Sequence, residues 1–215
     1  MRKGRQCDLA FYSKIAPVYE LWAGLAESRA RRRLLEKAAV RDGEAILEVA
    51  IGTGSQLVSL ARRNPSGRTV GVDLAEGMLA RARARIDRAG LTGVEIGRGD
   101  ALELPFAEER FELVVNSYML DLLPREDIQR ALAEFRRVLR PGGRLVLSNM
   151  TKGERRRHRI WDALYERGIP LTANCRGVLA APVLGELGFA DIRREYLVQM
   201  LVPTEIVTAR APGVS

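Results

Sequence analysis

Ile46-Leu47-Glu48-Val49-Ala50-Ile51-Gly52-Thr53-Gly54, answered by Gly71-Val72-Asp73-Leu74, is the stretch that decides how this chain folds. The first apolar run reads as a buried strand entering a glycine turn. A helix follows from Ser55, and a second apolar run ends in an acid. An open α/β sheet uses small residues where its backbone must approach a ligand. It places a carboxylate about twenty residues further on to accept ribose hydroxyls. Gly52 and Asp73 have that separation. Leu57 stands where a dinucleotide fingerprint wants its third glycine. The turn therefore points to an adenosine-bearing ligand, and away from NAD.

Outward from this unit the alternation continues. Strands are expected over 45–50, 69–72, 94–97, 111–116 and 144–148, with helices over 55–63, 77–89 and 127–139. Phe111–Asn116 is almost continuously apolar, as a central parallel strand should be. Ile128, Leu132, Phe135 and Leu139 give the last helix one apolar stripe. Arg140-Pro141-Gly142-Gly143 reads as the turn before the fifth strand. Residues 8–40 read as two helical pieces interrupted near Pro17. Beyond 150 the spacing predicts helices over 160–167 and 178–187, then two closing strands over 192–198 and 205–209, paired antiparallel. Alternating strands and helices imply a doubly wound, mainly parallel α/β sheet.

The 215 residues suit one domain, and 47% hydrophobic with 29% charged content describes a globular chain. No apolar run reaches the roughly 18 residues of a membrane span. The opening Met1-Arg2-Lys3 lacks a secretory signal, so a cytoplasmic protein is expected. Cys7 and Cys175 are read as free thiols without metal-ligand spacing. The net charge of +8 is uneven. Residues 1–41 hold ten Lys/Arg against four acids, and residues 42–150 hold fifteen against sixteen. An excess confined to the flanks suits an anionic partner, either membrane headgroups or a phosphorylated substrate.

Several further strings share an order with the opening stretch. They are Met78-Leu79 after the second strand, Gly99-Asp100-Ala101 with Leu104-Pro105-Phe106, Phe111–Asn116, and Arg137–Gly143. Together they resemble the class I S-adenosylmethionine-dependent methyltransferases over roughly residues 10–210. The resemblance implies a Rossmann-like, seven-stranded sheet with an N-terminal helical lid over residues 1–41 and a catalytic domain over 42–215. It implies S-adenosyl-L-methionine as cofactor and no metal. Ala50, Gly52, Thr53 and Gly54 would line its methionine and ribose portions, and Glu48 would steady the turn or reach its amino group. Asp73 would hold the ribose diol, with Leu74 beside it and Met78 over the adenine. Asp100 and the Ala101 N–H would read the adenine edge, unless Asp100 caps a helix. Asn116 would face the methyl group.

Methyl transfer from a sulfonium needs alignment and exclusion of water more than a strong acid. Candidate catalytic aromatics are Tyr12 and Tyr19 on the lid and Tyr118 at the site's mouth. Trp161 and Tyr165 share a helix face, and His158 is read as solvated. Val49-Ala50-x-Gly-Thr-Gly is similar to the quinone-biosynthesis branch. Ile46–Gly54 and Pro17-Val18-Tyr19 are also similar to bacterial phosphatidylethanolamine N-methyltransferases. Both branches imply a small or lipid-like acceptor, and the basic N-terminal helix and Lys152–Arg159 suit peripheral contact with an anionic membrane. A monomer is expected. A nucleic-acid methyltransferase is disfavoured despite a pI near 10.1, because residues 116–119 read Asn-Ser-Tyr-Met and not Asn-Pro-Pro-Tyr. A non-catalytic cofactor-binding module is the remaining alternative.

Overall fold

The computed structural model describes residues 28–151, 177–199 and 202–213. Helix α1 (Ser28–Ala38) precedes β1 (Ala45–Val49), α2 (Ser55–Ala61), β2 (Arg68–Asp73), α3 (Glu76–Arg88) and β3 (Val94–Arg98). The chain continues through β4 (Phe111–Ser117), a short turn of 3-10 helix, α4 (Arg125–Val138) and β5 (Leu139–Met150). It closes with α5 (Ala180–Glu186), β6 (Ala190–Gln199) and β7 (Val202–Arg210). The seven strands form one sheet ordered β3-β2-β1-β4-β5-β7-β6. Strands β1 to β5 pair in parallel, whereas β7 is antiparallel to both β5 and β6. The expected doubly wound architecture with a C-terminal antiparallel hairpin is observed.

Period-2 alternation sends successive side chains to opposite faces, and each face has its own cover. Ile46, Leu113, Val115, Val146 and Ile206 meet Ala30, Leu34 and Ala38 of α1. This portion of the expected lid is thus part of the core. On the other face Leu47, Val114, Leu145 and Val207 meet Leu132 and Phe135 of α4 and Leu184 of α5. Helix α4 forms here because its apolar residues recur at helical spacing. Glu126 and Asp127 sit in its first turn and Arg136 and Arg137 in its last, each opposing the local end of the helix dipole.

The order reverses at β1, which lies between β2 and β4. In sheets of this kind the ligand crevice opens beyond the carboxyl ends of the strands at such a point. One expectation is corrected. Arg140–Gly143 does not turn the chain before the fifth strand but lies within β5 as a bulge. Phe111 pairs with Leu139 and Leu113 with Arg144, so the residues between them loop out of register. Gly142, at φ +70°, donates to Ala211 O at 3.1 Å, and the Ala211 N–H donates to Gly143 O at 2.8 Å. The C-terminal segment therefore absorbs hydrogen bonds that a free turn would leave to water. Among the described residues no helix is long and apolar enough to cross a membrane.

Candidate functional site

The glycine turn is braced on β2. Ile51 N–H donates to Val72 O at 3.1 Å, and Gly54 N–H to Ile51 O at 2.9 Å. Ala50, Gly52 and Gly54 all take left-handed backbone, with φ of 58°, 52° and 76°. For Ala50 this conformation costs about 1–2 kcal/mol, a strain that bends β1 sharply into the turn. A Cβ on Gly54 would lie 3.0 Å from Ala82 Cβ, so this glycine sets how closely α2 and α3 approach. A Cβ on Gly52 would meet nothing within 4 Å. Space is kept open above that residue, beside the half-buried Thr53.

Asp73 closes the turn from β2. Its Oδ2 accepts from Gly52 N–H at 2.8 Å and its Oδ1 from Ala75 N–H at 2.9 Å. Burial pushes its pKa up, and hydrogen bonds from Ala75, Gly52 and Leu74 pull it part of the way back. Each oxygen keeps accepting capacity for a vicinal diol. Leu74 and Met78 are half-buried beside it, and Met78 N–H donates to Ala75 O in the first turn of α3.

The loop after β3 brings Asp100 and Ala101 alongside, because Gly99 N–H donates to Asp73 O at 3.1 Å. Asp100 Oδ1 accepts from Leu102 N–H at 3.0 Å, which forms an Asx turn with no helix following it. Arg137 donates to Phe106 O at 2.7 Å, and Leu104 N–H donates to Glu134 at 2.8 Å. Phe106 meets Phe111 edge-on at 5.1 Å. Helix α4 thereby holds the loop that carries Asp100 and Ala101.

Two expected site residues are buried polar groups with unused atoms. Asn116 Nδ2 donates to Val49 O at 2.9 Å, tying β4 to the end of β1, and its Oδ1 has no partner. Glu48 is 2% exposed and its Oε2 has no partner. Burial drives its carboxyl well above the ordinary range; the Arg31 charge opposes this and the Asp73 charge adds to it. Glu48 alternates with Ile46 toward α1, whereas Asn116 alternates with Val114 toward α4. The two residues therefore flank the strand ends from opposite faces.

Tyr118 follows β4 in a left-handed conformation, φ 50°. Its N–H donates to Ser148 O at 2.7 Å, and its hydroxyl lies 3.1 Å from Thr204 Oγ1. The other expected aromatics, Tyr12, Tyr19, Trp161 and Tyr165, lie outside the described residues, as do His158, Cys7, Cys175 and the Lys152–Arg159 run. Among the described residues no three His, Cys, Asp or Glu side chains gather to hold a metal ion.

Sequence reasoning missed a second buried carboxylate at this end of the sheet. Glu205, fully buried in β7, accepts from Asn149 Nδ2 at 3.0 Å, Ala180 N–H at 2.9 Å and Thr151 Oγ1 at 3.3 Å, and also from Arg194. These four partners come from three separate segments, and no local pattern announces them.

With this geometry in place, residues 46–143 match the model of a family described as a methyltransferase domain. The chain is 39% identical over 140 residues to a demethylmenaquinone methyltransferase of Thermus thermophilus, covering 63% of this chain and 62% of that protein. It is 31% identical over 167 residues to a demethylmenaquinone methyltransferase of Staphylococcus aureus, covering 77% of this chain and 63% of that one. The chain thus spans about three fifths of the length of the curated relatives it matches. A crystal structure of a SAM-dependent methyltransferase from Aquifex aeolicus superposes with a TM-score of 0.68 at 20% identity. That match covers 93% of this chain and 97% of the other, and it shows the shared fold. These matches bear out the resemblance to class I S-adenosylmethionine-dependent methyltransferases, and to the quinone-biosynthesis branch in particular.

Proposed function

We propose that this chain, whose residues 46–143 carry a methyltransferase domain, transfers the methyl group of S-adenosyl-L-methionine to the ring of an isoprenoid quinol. The observation that carries the cofactor half is the contact of Gly52 N–H with Asp73 Oδ2 at 2.8 Å beneath an open glycine turn. The likeness to two demethylmenaquinone methyltransferases supports the acceptor half.

The donor supplies, when bound, a methyl group already activated by sulfonium charge. Asp73 accepts the ribose hydroxyls, and the bare backbone of Gly52 admits the sugar and methionine portions. Met78 and Leu74 flank the adenine, with Asp100 and the Ala101 N–H reading its edge. The orphaned atoms of Glu48 and Asn116 supply hydrogen-bonding capacity toward the methionine end. Tyr118, joined by Tyr12 and Tyr19 of the proposed lid, walls the acceptor against the methyl group and keeps water out. The new bond to carbon forms as the sulfur–carbon bond breaks, and the acceptor ring loses a proton. Holding both reactants in line converts a bimolecular step into a near-unimolecular one, an advantage of about 7–11 kcal/mol at best. The exposed Arg29 and Arg32 on the outer side of α1 fit an acceptor with a lipid tail by facing an anionic membrane surface.

The test is to incubate purified protein with methyl-labelled donor and either a short-tailed demethylmenaquinol or phosphatidylethanolamine vesicles. Mass spectrometry should find label on the quinol ring alone. Label on the ethanolamine headgroup would overturn the acceptor, and no calorimetric binding of S-adenosylhomocysteine would overturn the donor.

A further inference from the structure

Four hydroxyl groups gather on the α1 face of the sheet at its ligand-facing end. Ser117 and Ser148 are register partners across β4 and β5. They lie one step beyond Val115 and Val146, which are packed against α1. Thr204 lies one step beyond Ile206 on the same face of β7 and pairs with Met150. The left-handed backbone of Tyr118 turns its hydroxyl back to Thr204, 3.1 Å away.

The Ser117 and Ser148 oxygens are buried, and neither has a hydrogen-bond partner. Buried hydroxyls are nearly always satisfied, so two adjacent exceptions call for a missing partner. Each has one proton to donate, and so the pair suits an acceptor atom placed between them. A strained tyrosine beside them is a second mark of a functional site, since such backbone persists only where surroundings impose it.

We infer that Ser117, Ser148 and the Thr204–Tyr118 pair form a subsite that holds a ring oxygen of the methyl acceptor. The inference rests on the quinol reading above and deepens it. The subsite is uncharged, which favours a phenolic or carbonyl oxygen over an ammonium group. Glu195, a carboxylate on this face, is engaged by Arg33 at 2.7 Å and Lys37 at 3.2 Å. Glu48, two positions short of Ser117 by register, has its carboxyl pushed toward the neutral form by burial. Within this subsite Thr204 is a positioning residue, because it fixes the direction of the Tyr118 hydroxyl.

The experiment titrates the protein–S-adenosylhomocysteine complex with 2-methyl-1,4-naphthoquinone and measures KM for a short-tailed demethylmenaquinol. The Ser117→Ala/Ser148→Ala double variant should weaken naphthoquinone binding and raise KM by roughly tenfold through two lost hydrogen bonds. Its affinity for S-adenosylhomocysteine should stay unchanged. Thr204→Val keeps the β-branched shape and should raise KM with little change in kcat, while Thr204→Ser should restore it. Unaltered naphthoquinone affinity in the double variant, with S-adenosylhomocysteine still bound, would mean the serines serve ordered water alone and would overturn the subsite. Wild-type protein that fails to bind S-adenosylhomocysteine would instead bring down the parent reading and this inference with it.

Discussion

Glu48 and Glu205 are two buried glutamates at the same end of one sheet, and their surroundings are opposite. Glu205 is surrounded by donors from β5, β6, the chain after β5 and the start of α5. Glu48 has an oxygen with no partner and is driven toward its neutral form by burial. A buried carboxylate whose hydrogen bonds are filled is part of the architecture. One left short beside an open glycine turn marks where a ligand completes the structure.

The sharpest way to break this contrast is Glu205→Ala. It strands the Arg194 guanidinium, the Asn149 amide and the Ala180 N–H, and should cost about 3–5 kcal/mol of stability in urea unfolding. The fraction that remains folded should bind S-adenosylhomocysteine as wild type does. A loss under 1 kcal/mol would reduce the cluster to ornament.

Asp73→Ala addresses the ligand side. It should weaken S-adenosylhomocysteine binding by about 1–3 kcal/mol through lost charge-assisted hydrogen bonds, read by calorimetry. Unchanged affinity would place the ribose elsewhere.

Glu48→Gln gives the smallest effect and depends on pH. A carboxyl whose pKa is raised in the folded state keeps its proton while the unfolded chain ionises. Its contribution to stability is therefore lost as pH rises from the ordinary glutamate value toward the raised one. Glutamine does not titrate. The variant should match or exceed wild-type stability at pH 8 and lose that advantage at pH 4, measured as Tm. An advantage that grows on acidification would contradict the upward shift of the Glu48 carboxyl.

The two halves of the sheet also differ in how far they could be read from sequence. The β1–turn–α2–β2 unit is encoded by neighbours in the chain. Its apolar run, two glycines and Asp73 stand at fixed spacing, and the structure brings Gly52 and Asp73 together as expected. The continuous apolar β4 and the single stripe of α4 were equally plain. Arg140–Gly143 misled because Pro-Gly signals a turn locally, whereas Ala211 and Arg210 draw it into β5 from a distant part of the chain. Ser117, Ser148, Thr204 and Glu205 carry no local signature. They meet only through the β4–β5–β7 registers, and a one-residue slip would send each to the other face.

The Glu205 cluster bears on how such a chain can diversify. The backbone leaves β5 at Thr151, and the chain ahead of α5 comes back to the strand's end at Val178, whose N–H donates to Met150 O at 2.9 Å, so exit and return are clasped together. Closing a longer excursion between clasped ends costs little, about 0.6 kcal/mol for each doubling of length. A change in chain length between these clasped ends would therefore leave the scaffold beneath them nearly undisturbed.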